Sequence, residues 1–183
     1  YVAISTTIRD QVRQEMVRRV GMAQVEQRWF DYFHLGSELD LSDAHSAVDQ
    51  GLLNMFKTRE PVFLMVSTIE PRKNHAYLLD AFERAWAAGS KARLCIVGKI
   101  GWKCEALVDR IRQHPELNRR LFMFNGLSDK SLEHAYSHAT SLVFPSYVEG
   151  FGLPLVEAMQ RGLPAMASDI PVFREIGGDY MAY

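Results

Sequence analysis

Cysteine is scarce in this 183-residue chain, which has two, Cys95 and Cys104. That excludes a disulfide framework, and the pair reads as buried or incidental thiols of a reducing compartment. Net charge is lacking too, at −1. No basic face therefore offers itself to nucleic acid, for which it would be the electrostatic footprint. No run approaches the ~20 apolar residues of a membrane span. An opening methionine is missing as well: the chain starts in a strand-like run, "YVAIS", and stops at "GGDYMAY", where a fold should continue. A fragment of something longer is expected. What is there is ordinary for a globular protein, 48% apolar and 23% charged residues, in a length suited to one large or two small domains. The expected address is the cytoplasm.

The early part gives weak signals. "YVAIS" predicts a short strand, residues 6–20 a polar helix, and "WFDYFHLG" another strand. Residues 37–60 are expected to link two units, with a short helix within "AHSAVDQGLLNMFK". From Pro61 the pattern turns regular. "PVFLMVS", "ARLCIVG", "RLFMFNG", "SLVFPS" and "PAMAS" are apolar runs of strand length, as in strands buried on both faces. Between them lie helical stretches, such as "NHAYLLDAFERAWAAG" with Leu78, Phe82, Ala85 and Trp86 at helical spacing and Gly89 as its stop. Ser128 is placed to open the helix "SDKSLEHAYSHA", and Pro154 falls in the first turn of "PLVEAMQRG". Alternation of this kind predicts an α/β fold, a doubly wound, Rossmann-like parallel sheet covered on both sides.

In such sheets ligands bind beyond the carboxyl ends of the strands. "SYVEGFGLPLVEAM" occupies such a place and holds two carboxylates, Glu149 and Glu157, with seven residues between them. Gly150 and Gly152 allow a tight turn and close approach to a ligand. The following helix offers free N–H groups and partial positive charge to an anion. Ionised carboxylates accept hydroxyl donors. Together these suit a polyhydroxylated ligand bearing phosphate, a nucleotide sugar. A glutamate in a helix's first turn also serves the macrodipole alone, and Glu157 has that plainer reading. "STIEPRKN", after the first buried strand, adds Arg72 and Lys73, a fork and a point charge suited to a diphosphate.

The strings "VSTIEPRKN", "LCIVGKIGW", "FNGLSDKSL" and "SLVFPSYVEGFGLPLVEAMQRGLPAMASDIPVFREIGGD" resemble the donor-binding half of a GT-B retaining glycosyltransferase of family four. The resemblance covers residues 61–183, which it makes a nucleotide-sugar-binding domain cut short at its C-terminus. Residues 1–36 resemble the last helix and flanking strands of the acceptor-binding Rossmann domain. It implies that Arg72 and Lys73 hold the donor's diphosphate and that Glu149 contacts the sugar hydroxyls. The amides of Gly150, Phe151 and Gly152, with Leu153 beside them, would line sugar and phosphate, and Glu157 the ribose. Gly98 and Lys99 on one side and Gly126, Leu127 and Ser128 on the other would flank the base. No bound metal or other cofactor is implied.

By the same resemblance the whole enzyme moves a sugar from a nucleotide-diphosphate donor to a glycan or lipid-linked acceptor in bacterial surface-polysaccharide synthesis. "EPRKNH" and "GKIGWK" look most like members using mannose on GDP. Peripheral association at the inner face of the plasma membrane is implied for the full-length enzyme, and the fragment alone is expected to be inactive. Two alternatives stand beside this, a non-catalytic nucleotide-sugar-binding module and another GT-B enzyme such as a 2-epimerase. His134 and His138, four apart, have a zinc-like spacing but no third ligand, and a solvated helix face is expected. Arg9, Arg13, Arg18 and Arg19 are diluted by Asp10 and Glu15, so a solvated helix is expected there too. Trp102 is read as ordinary packing rather than a base-stacking ring.

Overall fold

The computed structural model describes residues 1–36 and 47–183. The opening segment runs β1 (Val2–Ala3), α1 (Thr6–Val20), α2 (Met22–Glu26) and β2 (Asp31–Tyr32). The two short strands pair in parallel, Val2 opposite Asp31, as a separate two-stranded sheet. Helix α1 buries none of its residues, and its arginines are partly spent on neighbours, Arg9 on Asp10 and both Arg18 and Arg19 on Glu15. The strand expected over "WFDYFHLG" shrinks to two residues because it has one short partner, and Trp29 and Phe33 stay exposed.

The rest is one doubly wound unit. It contains α3 (Gln50–Phe56), β3 (Val62–Val66), α4 (His75–Ala87), β4 (Arg93–Val97), α5 (Glu105–Arg112) and β5 (Leu121–Phe124). Then come α6 (Asp129–His138), β6 (Ser141–Phe144), α7 (Leu153–Gln160), β7 (Ala165–Ala167), α8 (Pro171–Gly177) and β8 (Met181–Ala182). The six strands β3 to β8 form one all-parallel sheet in the order β5-β4-β3-β6-β7-β8. Their side chains alternate between two cores. Leu64, Cys95, Leu142 and Phe144 face a layer that includes Leu52, Tyr136, Leu155 and Phe173. Met65, Leu94, Ile96 and Val143 face Leu78, Leu79, Phe82, Trp86, Val108 and Ile111. Each fully buried leucine or isoleucine among them contributes about 1.5–3 kcal/mol of transfer free energy.

Local signals set the ends of elements. Ser128 caps α6 by accepting from the Ser131 amide at 3.2 Å, and Gly89, in the left-handed region at φ 92°, follows the end of α4. Two elements lie outside the sequence reading, α2 and the edge strand β8. Within the stretch expected to be a linker, residues 37–46 lie outside the described residues. Further on that expectation is corrected: α3 is a core helix capped by Asp49, and Leu52 and Met55 are buried. The doubly wound unit therefore starts before Pro61.

Candidate functional site

The order of strands reverses between β3 and β6, which lie side by side with Phe63 opposite Ser141. A crevice opens at such a switch point because the two loops leave in opposite directions. The loop after β3 is "STIEPRKN" and the loop after β6 is "PSYVEGFG", so the two stretches singled out from sequence meet here. Pro71–Lys73 form a single 3-10 turn. Asn74 closes it in the left-handed conformation, φ 61°, which asparagine tolerates better than most residues. Its side-chain amide donates to the Pro145 carbonyl at 3.1 Å, and the Tyr147 amide donates to the Arg72 carbonyl at 2.9 Å. These bonds stitch the two loops together.

The charges converge on Glu149. Its carboxylate takes Arg72 at 2.8 Å through one oxygen and Lys73 through the other. Its side chain is 7% exposed, that of Lys73 11% and that of Arg72 43%. Arg72 also reaches Glu70 at 2.6 Å and the Val148 carbonyl at 3.1 Å. Burial works against the charge on Arg72, but the bonds to Glu149 and Glu70 outweigh it and raise its pKa. Lys73 lies 5.2 Å from the Phe144 ring centre, a cation–π contact on the site's floor. Two cations and two carboxylates thus share the pocket, in balance without a ligand.

Behind them, Gly152 starts α7 at φ 110°, where any side chain would be strained, and a Cβ would stand 3.0 Å from the Phe173 ring. Among the described residues, nothing accepts from the amides of Gly150, Phe151 or Gly152. They are donors beside a helix N-terminus. The Phe151 side chain is buried, so that residue can offer its backbone only, whereas Leu153 is exposed. Glu157 lies beyond the first turn of α7, which corrects the helix-dipole reading. The Tyr136 hydroxyl donates to its carboxylate. Burial raises the Glu157 pKa, opposed by that hydrogen bond and by Arg161.

Gly126, Leu127 and Ser128 line a separate hollow of ≈ 280 Å³ with Asp49, Phe124 and Ser131. The Ser128 hydroxyl is occupied there, donating to Ser131 Oγ at 3.0 Å while it caps α6. Gly98 has a packing duty: a Cβ would fall 1.8 Å from the Ser67 carbonyl oxygen. Lys99 is exposed, and its carbonyl accepts from the Ile69 amide. A larger groove of ≈ 580 Å³, lined by Phe63, Tyr77, Phe82, Val143 and Met166 among others, has no cation to set against a diphosphate and holds Asp169.

Three features escaped the sequence reading. Trp102 is 55% exposed, not packed, and its indole N–H donates to Glu70 at 2.9 Å. His134 and His138 stack on each other at 3.8 Å beside Phe56. Glu175 of α8 receives the Thr6 amide at 2.7 Å, the Thr7 amide at 2.9 Å and His34 Nε2 at 2.9 Å. Burial tends to raise the Glu175 pKa, but those bonds prevail and hold it at about 2. Glu175 thus latches the opening segment to α8, and Ser5 Oγ, donating to the Gly150 carbonyl at 2.9 Å, ties it to the glycine loop. No single-residue signal marks a contact 168 positions apart in sequence.

The family description "Glycosyl transferases group 1" matches residues 54–181, more than half of the chain and all of this site. The chain belongs to that family. The serotype-specific mannosyltransferase WbdA of Escherichia coli is 44% identical over 153 residues, covering 82% of this chain and 19% of the relative. The O-antigen chain mannosyltransferase RfbU of Salmonella typhimurium is 30% identical over 137 residues, 74% of this chain and 37% of the relative. This chain therefore spans a fifth to two fifths of those relatives. Among solved structures, Anabaena HepE in complex with UDP and glucose superposes with a TM-score of 0.68 at 17% identity, over 95% of this chain and 45% of that one. The lipopolysaccharide glycosyltransferase WaaG superposes at 0.53, with 20% identity over 81% of this chain and 42% of its own. The expected fold, a Rossmann-like α/β unit of the GT-B kind, is the one observed.

Proposed function

We propose that this chain is the donor-binding part of a retaining hexosyltransferase, and that Arg72, Lys73 and the Glu149 loop hold the diphosphate and sugar of the donor. The carrying observation is the convergence of Arg72 and Lys73 on Glu149, beside amides ahead of α7 that have no partner among the described residues. Arg72 and Lys73 take the diphosphate; Gly150, Phe151 and Gly152 offer amides to phosphate and sugar; Glu149 turns to the sugar hydroxyls. Glu157 receives the ribose. The base lies between Gly98 and Lys99 on one side and Gly126, Leu127 and Ser128 on the other.

The chemistry follows from charge. When the bond between anomeric carbon and phosphate oxygen breaks, the pair of electrons stays on the diphosphate and the sugar becomes oxocarbenium-like. Arg72, Lys73 and the α7 N-terminus stabilise that new negative charge, the office a metal ion holds elsewhere. One such fixed donor is typically worth about 2.7–4 kcal/mol. The acceptor hydroxyl attacks from the face the phosphate leaves, so configuration is retained, and its proton passes to the departing phosphate oxygen. Residues 1–36 are read as the edge of the acceptor-binding domain, latched through Glu175, and the doubly wound unit from α3 on as the donor domain.

The similar mannosyltransferases support mannose as the sugar, with GDP-mannose as donor, and a glycan or lipid-linked acceptor of a bacterial surface polysaccharide. The proposed place is the cytoplasm at the inner face of the membrane, and no helix among the described residues is long and apolar enough to cross it. Calorimetric titration with GDP, UDP, ADP and GDP-mannose tests the reading. Saturable binding of one of them, weakened by about 1.5–3 kcal/mol in Arg72→Ala, is the expected result. Equal binding by wild type and variant would remove Arg72 from the site.

A further inference from the structure

Of the charged groups that meet at Glu149, Arg72 is the more exposed cation, with a side chain 43% exposed against 11% for Lys73. A free arginine there would wander among rotamers and lose order whenever Glu149 leaves it for a sugar. Two carboxylates hold it, and they are not equivalent. Glu149 stands in a loop whose Tyr147 and Val148 are each 64% exposed and whose next residue is Gly150. Glu70 stands on a fixed base. The residue before it, Ile69, is fully buried, donates its amide to the Lys99 carbonyl at 2.8 Å and accepts from Gly101 at 3.0 Å. A Cβ on Gly101 would come within 2.8 Å of the Ile69 carbonyl oxygen, so glycine is what lets the two loops close on each other. The next residue, Trp102, then places its indole N–H 2.9 Å from one Glu70 oxygen, while the other oxygen takes Arg72 at 2.6 Å.

We propose that Glu70 and Trp102 are positioning residues for Arg72, a fixed carboxylate and its indole pin that keep the guanidinium aimed at the crevice when Glu149 lets go. Glu149 is then the exchangeable partner and Glu70 the permanent one. The inference rests on the reading of Arg72 as a diphosphate ligand. It also explains why a large indole stands half in solvent, with Lys103 over its ring and no place in the core: its N–H is its function.

The test has two readouts on the 183-residue chain. In nitrogen–proton spectra of the ligand-free protein, the Arg72 guanidinium signals should be resolved in wild type and lost in Trp102→Phe and in Glu70→Gln. By calorimetry, Trp102→Phe, which keeps the ring but not the donor, should weaken GDP binding roughly three- to tenfold, the scale of one lost hydrogen bond. The same substitution in an Arg72→Ala background should change affinity no further, because its effect passes through the arginine. An equal fall in both backgrounds would overturn the proposal, since Trp102 would then meet the nucleotide itself. Arg72 signals as strong in Trp102→Phe as in wild type would overturn it whatever binds. If wild type binds no nucleoside diphosphate while the Arg72 signals depend on Trp102 and Glu70 as stated, the donor-site reading fails and the positioning stands.

Discussion

Replacing Glu149 by glutamine should strengthen nucleoside diphosphate binding while it weakens the protein. In the ligand-free site the carboxylate holds both cations, so a diphosphate must first displace it from Arg72 and Lys73. Hydrogen bonds to a charged group contribute about 1.5–3 kcal/mol each and neutral ones about 0.5–1.5. Glutamine offers one carbonyl oxygen in place of a charged pair, so releasing the cations should cost roughly 1–3 kcal/mol less. That is a gain of about five- to 160-fold in GDP affinity. The same change leaves the Lys73 ammonium, with a side chain 11% exposed, short of its counter-charge. Breaking a buried pair of this kind costs about 3–5 kcal/mol when the remaining charge is fully enclosed, and partial exposure of Arg72 places the expected loss below that. The assays are GDP titration by calorimetry and thermal unfolding with and without GDP. Tighter binding, a lower melting temperature without ligand and a larger rise on adding GDP are expected together. Weaker GDP binding in Glu149→Gln would refute the exchange argument, because the carboxylate would then be part of the phosphate site rather than its rival.

Glu157→Ala should abolish discrimination between GDP and its 2′,3′-dideoxy analogue, which wild type should bind at least several-fold more weakly; equal loss of both ligands would show that Glu157 does not meet the ribose. His75 is buried, and burial with the nearby charge of Lys73 pushes its pKa down to about 4. The unfolded chain, near 6.5, binds the proton first as pH falls, so stability is full above pH 6.5 and is lost between 6.5 and about 4. Between pH 7 and 5 the loss should be about 2 kcal/mol, read from urea midpoints, and should vanish in His75→Asn. Gly152→Ala should destabilise the fold by about 1–2 kcal/mol, the cost of a left-handed backbone for a residue with a Cβ, again by urea midpoint; an unchanged midpoint would show that the loop can flip.

Much of the sheet was legible because its strands are buried on both faces and read as continuous apolar runs, "FLMV" and "LCIV" most clearly. Helix α6 was legible at its start because Ser128 is a local cap. The limits came where neighbours decide. Helix α3 looked like part of a linker because its polar residues, Gln50 and Asn54, interrupt the pattern that Leu52 and Met55 set. Strand β8 has two residues and exists only because β7 is beside it. At the site, sequence brought Arg72, Lys73 and Glu149 to one crevice, since each follows a strand end. It missed Trp102 and Glu70, whose bond depends on two loops being laced together, and Tyr136, which reaches Glu157 from another helix. Pairs made across the fold carry no periodicity and no spacing.

The most direct measurement is the structure of this chain with GDP bound. The account expects the two phosphates between Arg72 and Lys73 and the amides of Gly150 to Gly152, with Glu149 moved off Lys73 and Glu70 still on Arg72. GDP in the groove lined by Phe63, Tyr77, Val143 and Met166, or at the switch point with Glu149 still paired to both cations, would contradict it.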